Sequence, residues 1–102
     1  MSISEPLQEI QLSRSALRQN VTSLKRLAGE RMMAVSVKAN AYGHGLPEFV
    51  SMLIDMPEVD HLAVHSLDEA IACRGIGWPR RVMVLGPIAV DSVDAVFEYD
   101  LE

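Results

Sequence analysis

The chain has 102 residues, of which 49% are hydrophobic and 23% charged, the balance of an ordinary globular protein with material for one modest core. A net charge of −5 argues against a polyanionic partner, and the basic pair Arg80-Arg81 belongs to no stripe with interleaved aromatics, so nucleic acid is not an expected ligand. The single cysteine, Cys73, permits no internal disulfide, suits a reducing compartment and reads as a small apolar helix residue. The opening Met1-Ser2-Ile3-Ser4-Glu5-Pro6 lacks the basic and apolar stretches of a signal peptide, and no apolar run approaches a membrane span. A cytoplasmic protein without a membrane or metal site is the expectation.

Residues 7–12 read as a short extended segment. Ser13 is placed to cap a helix on which Leu17, Val21, Leu24 and Ala28 share one face, and Gly29 supplies the stop. Arg31–Lys38 is nearly all apolar, the pattern of a parallel strand buried on both faces. Pro47 suits a helix start, Phe49, Val50, Leu53 and Ile54 form its apolar stripe, and Pro57 keeps it from continuing. His61–Val64 is a second buried strand. Ser66-Leu67-Asp68-Glu69 matches a capping box, opening a helix with Leu67, Ala70, Ile71 and Arg74 that Gly75 is expected to end. Arg81–Leu85 makes a third strand, closed by Gly86-Pro87, and Asp91 is expected to cap a last short helix running to about Tyr99.

Strand and amphipathic helix thus alternate with a period of about 25 residues, the signature of βαβ units on a parallel sheet. That period fits a (β/α)8 barrel of the TIM type, which needs about 250 residues. About three of eight units are present, and a fourth strand is due just where Asp100-Leu101-Glu102 stand. The fold class expected is therefore α/β, the first part of an incomplete barrel, with an edge strand that something else must cover.

Alternation on the first strand sets Ala34, Ser36 and Lys38 on one face and Val35, Val37 and Ala39 on the other. The valine face suits packing against helices. The opposite face stays small until Lys38, at the carboxyl end of the strand, where barrel enzymes place catalytic groups. A lysine there either extends its amine to water or is desolvated, the condition for a Schiff base with an aldehyde. Geometry alone leaves both open. The loop that follows, Ala39-Asn40-Ala41-Tyr42-Gly43-His44-Gly45, adds glycines that let a ligand approach closely and a tyrosine hydroxyl able to donate to a phosphate.

Taken together, Ala34-Val35-Ser36-Val37-Lys38-Ala39-Asn40-Ala41-Tyr42-Gly43-His44-Gly45 closely resembles the pyridoxal-phosphate lysine signature of alanine racemases. The resemblance continues through Leu12–Leu27, through Leu62–Ala70, and through Arg74-Gly75-Ile76 and Val82–Gly86, so that it covers nearly all of residues 7–102. It implies a homodimeric isomerase with an N-terminal pyridoxal-phosphate barrel, of which residues 1–102 are the opening portion, and a C-terminal β domain. In such an enzyme the lysine matching Lys38 holds the cofactor as a Schiff base and serves as one of two bases at the substrate Cα. The tyrosine matching Tyr42 bonds the cofactor phosphate, and the residue matching Leu85 packs near the pyridine ring. The second base, a tyrosine of the partner subunit, and an arginine facing the pyridine nitrogen would come from sequence not present here. The 102 residues alone are accordingly not expected to racemise anything.

The implied reaction is interconversion of L- and D-alanine, supplying D-alanine for the cell wall. Two positions depart from the family's usual pattern: Ser36, where an apolar residue is general, and His65, where a small one is common. They bear on the substrate rather than on the cofactor, and a serine or broad-specificity racemase of the same fold is the alternative. A pyridoxal-phosphate-binding chain without catalysis is a further one.

Overall fold

The structure is a computed structural model that describes residues 13–38, 41 and 45–102. The expected extended segment 7–12, and Ala39, Asn40, Tyr42, Gly43 and His44 of the loop after Lys38, lie outside the described residues.

Helix α1 spans Arg14–Ala28 and is bounded as its sequence predicts. The Ser13 hydroxyl accepts from the Ala16 N–H at 3.2 Å, and Gly29, at φ 64°, turns the chain out of the helix. Of the expected apolar face, Val21 is buried and Leu17 packs on the core, but Leu24 is 56% exposed. Polar contacts do much of the docking instead: Arg14 pairs with the Asp55 carboxylate at 2.9 Å and Arg18 donates to the Asp55 carbonyl. Lys25 donates to the Arg31 carbonyl at 2.7 Å and lies 3.9 Å from Asp60.

Three short strands, β1 (Ala34–Ser36), β2 (His61–Val64) and β3 (Arg81–Val84), form a parallel sheet in sequence order. Their register sets Val35 beside Leu62 and Leu62 beside Val82, and Ser36 beside Ala63 and Ala63 beside Met83. Alternation then separates two faces. Val37, Leu62, Val64 and Val82 are buried against the helices, with Val35 and Val84 packed on the same cluster. Ala34, Ser36, His61, Ala63, Arg81 and Met83 belong to the other face. The first strand is shorter than its apolar run suggests, because the ladder reaches only one residue past Ser36, where Val37 N–H donates to the Ala63 carbonyl.

Helix α2 (Leu46–Ile54) begins with Pro47 in its first turn and ends before Pro57. Val50 and Leu53 of its stripe are fully buried, with Leu46 and Met52 beside them. Helix α3 (Leu67–Ile76) opens on the complete capping box of Ser66 and Glu69. It runs past Gly75, contrary to expectation, and Gly77, at φ 112°, is the left-handed cap. The Gly77 N–H donates to the Arg74 carbonyl and the Trp78 N–H to the Cys73 carbonyl, both at 3.1 Å, which is a Schellman motif. What selects Gly77 over Gly75 is the next residue: Trp78 is 2% exposed, and its indole donates to the Arg81 carbonyl at 3.0 Å. After β3 the 3-10 turn Val90–Ser92 leads into helix α4 (Val93–Glu98). Asp91 lies inside that turn rather than capping the helix, and Ser92 precedes α4 without a side-chain cap.

Arginines close the loops beneath the strands. Arg80 stacks 4.2 Å over the Trp78 ring and donates to the carbonyls of Leu53, Ile54, Met56 and Val59, satisfying the end of α2. Arg74 donates to the carbonyls of Trp78, Arg80, Tyr99 and Asp100. Glu102 joins β3 in the parallel sense, its N–H on the Val82 carbonyl and its carbonyl receiving the Val84 N–H. Its carboxylate also meets His61 at 3.1 Å and Arg81. Desolvation would raise that carboxyl, but the hydrogen bond and charge of Arg81, then those of His61, hold it below the usual carboxylate range.

Cys73 is fully buried on α3, and desolvation, reinforced by Glu69 and partly offset by Arg74, pushes its thiol up to about 11. The folded state therefore favours the thiol, while an unfolded chain ionises near the ordinary value of 9.0. Stability from this group is fully present below that value and is lost as pH rises from it toward the folded value. Urea unfolding of the wild type is expected to weaken more steeply between about pH 9 and about pH 11 than that of Cys73→Ala. Equal slopes would show that burial does not hold the thiol protonated.

Candidate functional site

Lys38 stands two residues beyond the end of β1, just past the ladder rather than within it. The chain turns there: the Ala41 N–H returns to the Val37 carbonyl at 2.8 Å, with Ala41 buried and at φ 55°. A left-handed φ is strained for alanine, and it is tolerated where packing fixes the turn. Counting the same two residues beyond Ala63 and Met83 in the register leads to His65 and Leu85. Lys38, His65 and Leu85 therefore form one row at the carboxyl ends of the three strands.

Lys38 and His65 line a common cleft of about 480 Å³ with Ser66 and Glu69. That size is ample for a small organic ligand. Two lysines occur in the chain. Lys25 is bonded to the Arg31 carbonyl on the α1 side, whereas Lys38, half-buried, has no hydrogen-bond or ion-pair partner among the described residues. Leu85 is 57% exposed at the mouth end of β3 and is not one of the residues lining the cleft. Ser36 is half-buried one row below Lys38. Tyr42 and His44 lie outside the described residues.

Ser66 and Glu69 read in the sequence as a helix cap, and they are also the cleft wall. Glu69 Oε1 accepts from the His65 N–H at 2.8 Å and the Ser66 N–H at 3.1 Å, and Ser66 Oγ accepts from the Glu69 N–H at 3.2 Å. On its other side the His65 carbonyl accepts from the Gly86 N–H at 2.9 Å. A capping motif thus fixes the backbone of the one histidine among the described residues that line the cleft. The signal was present in Ser66-Leu67-Asp68-Glu69, but its placement beside Lys38 follows from strand register.

The residues present fit an aldehyde-bearing cofactor. One primary amine, without a partner among the described residues, faces a cleft at the strand ends, where a parallel α/β barrel gathers its ligands. Fold and site together define the opening units of a parallel α/β barrel with a lysine at its mouth. Residues 12–102 match the model of the alanine racemase N-terminal domain, and the chain belongs to that family.

Its relatives agree. The chain is 41% identical over 90 residues to a lysine racemase of Oenococcus oeni, an alignment covering 88% of this chain and 24% of that protein. It is 40% identical to an alanine racemase of Aquifex pyrophilus, covering 80% of this chain and 24% of the relative. Among solved structures, the alanine racemase from Oenococcus oeni superposes with a TM-score of 0.81 at 37% identity, covering 89% of this chain and 26% of that one. A histidine racemase from Leuconostoc mesenteroides also gives 0.81, at 30% identity, over 88% of this chain and 24% of its own. The chain therefore spans about a quarter of the length of the relatives it matches.

Gly86 sits so close to His65 that a Cβ there would overlap the His65 carbonyl oxygen and lie 2.9 Å from the ring Cε1. The carbonyl is backbone and is held by its own hydrogen bond, so it has little room to yield. Gly86→Ala is expected to destabilise the full-length protein by about 2 kcal/mol or more. Glu69→Ala, which leaves two backbone N–H groups without their acceptor, is expected to cost about 1–2 kcal/mol, and Glu69→Gln less. Urea midpoints of the three variants measure both expectations.

Proposed function

We propose that this chain is the opening part of the barrel domain of a pyridoxal-phosphate-dependent amino-acid racemase, with alanine as its substrate. The observation that carries the reading is Lys38 at the mouth of the strands, facing the cleft without a partner among the described residues, within a chain of the alanine racemase family. The remaining barrel strands and a C-terminal β domain would occupy the rest of the relatives' length, and the working unit would be a homodimer.

In this reading Lys38 would hold the cofactor through Nζ, Tyr42 would donate to its phosphate, and Leu85 would pack near its ring. Pyridoxal phosphate, when bound, supplies an electron sink for the charge left at the substrate Cα after proton loss. The Lys38 amine would serve as the base that takes the Cα proton on one face and returns it there in the reverse direction. A second base would be required on the opposite face, a role the family resemblance gives to a tyrosine of the partner subunit. The protein's own contribution at Lys38 is positional: the sharp turn after Val37 fixes the base of a flexible side chain at the rim of a packed sheet.

A racemase acting on a larger amino acid is the second reading, and relatives that are themselves named lysine racemase and histidine racemase favour keeping it. Chiral chromatography of the full-length protein with L-alanine, L-serine and L-lysine separates the two. Alanine is expected to turn over fastest, and no turnover of alanine would remove the first reading. Lys38→Ala is expected to lower racemisation by at least about 10³-fold, the scale of losing both a covalent anchor and a general base. Near-wild-type activity of that variant would refute the assignment of Lys38.

A further inference from the structure

His65 combines three properties found together in no other described residue of the cleft. Its backbone is clamped between the Glu69 carboxylate and the Gly86 N–H, at 2.8 and 2.9 Å. Its ring rests against Gly86, whose missing side chain leaves the space: a Cβ there would stand 2.9 Å from Cε1 and 3.0 Å from Nδ1. Yet the residue is exposed, and its ring nitrogens hydrogen-bond to no described residue. The imidazole is positioned by main chain and packing, while its polar atoms are left available to a ligand. It lies in the same row as Lys38 and lines the same cleft.

The cleft presents more apolar than polar surface, so the imidazole stands out as a polar group there. Glu69 and Ser66 are engaged in the helix cap, and the imidazole offers a nitrogen acceptor and an N–H donor in its neutral form. A methyl side chain placed against that ring makes no hydrogen bond. One that ends in a hydroxyl or an amine makes at least one.

We propose that His65 reads the substrate's side chain, favouring amino acids whose side chain donates a hydrogen bond over those with a bare methyl in binding. This rests on the racemase reading above and deepens it: Lys38 serves the Cα common to all amino acids, and His65 serves what distinguishes them. Faster turnover of alanine and tighter binding of a polar analogue are compatible, because ground-state affinity and rate are separate quantities.

The test uses two analogues without a Cα proton, so that binding is read without turnover: α-methylserine and α-aminoisobutyrate, titrated calorimetrically into the full-length protein. Wild type is expected to bind α-methylserine about tenfold more tightly, the scale of one net hydrogen bond. His65→Ala is expected to reduce the preference to within about twofold, and His65→Asn, which keeps a donor and an acceptor, to retain part of it. A wild-type preference unchanged in His65→Ala, or no preference in the wild type, overturns the role of His65 alone, provided the wild type racemises an amino acid in a Lys38-dependent way. If it racemises none, the racemase reading and this inference fall together.

Discussion

The register of three short parallel strands is the constraint on which the site depends. Pairing Val35 with Leu62 and Leu62 with Val82 puts every second residue of all three strands into one helix-facing cluster, where Leu62, Val64 and Val82 are fully buried. The same pairing brings the strand ends level and sets Lys38 and His65 in one row. A one-residue slip of β2 would turn its buried side chains to the other face and carry His65 out of that row. Apolar burial therefore decides the chemistry at the mouth, although no residue of the buried cluster lines the cleft. The energetic scale supports this: complete burial of a leucine or valine contributes about 1.5–3 kcal/mol, more than any single exposed ion pair here.

Around that sheet the connecting turns are held by hydrogen bonds directed at carbonyls. Arg80 collects four of them beneath α2 and stacks on Trp78, and Arg74 joins the end of α3 to the Tyr99–Asp100 turn. At the opposite end of the strands, the Ser66–Glu69 cap orders the backbone of His65. The two ends thus carry different duties. One end fixes the helices against the sheet, and the other presents Lys38, His65 and the α3 cap to the cleft.

Much of this was legible in the sequence because it rests on local chemistry. Ser13, Gly29 and the Ser66–Glu69 box bound their helices by side-chain and backbone geometry that needs no distant partner. The His61–Val64 strand was legible because its apolar run is short and bracketed. What escaped depends on tertiary contacts. Gly77 rather than Gly75 ends α3 because Trp78 is buried beneath the next strand, and Leu24 stays exposed because α1 docks largely through Arg14, Arg18 and Lys25. Ser66 and Glu69 were visible as a cap but not as a cleft wall, since only the register brings them to Lys38. The family was legible through the long loop motif around Lys38 and Tyr42, whose glycines and tyrosine alone would fit many loops.

The most direct measurement of the central claim is to load the full-length protein with pyridoxal phosphate, reduce it with borohydride and map the modified peptide by mass spectrometry. The expected result is a single pyridoxyl adduct on Lys38, with Lys25 unmodified. An adduct confined to another lysine, or none in a protein that folds, would contradict the assignment of Lys38 as the cofactor's anchor.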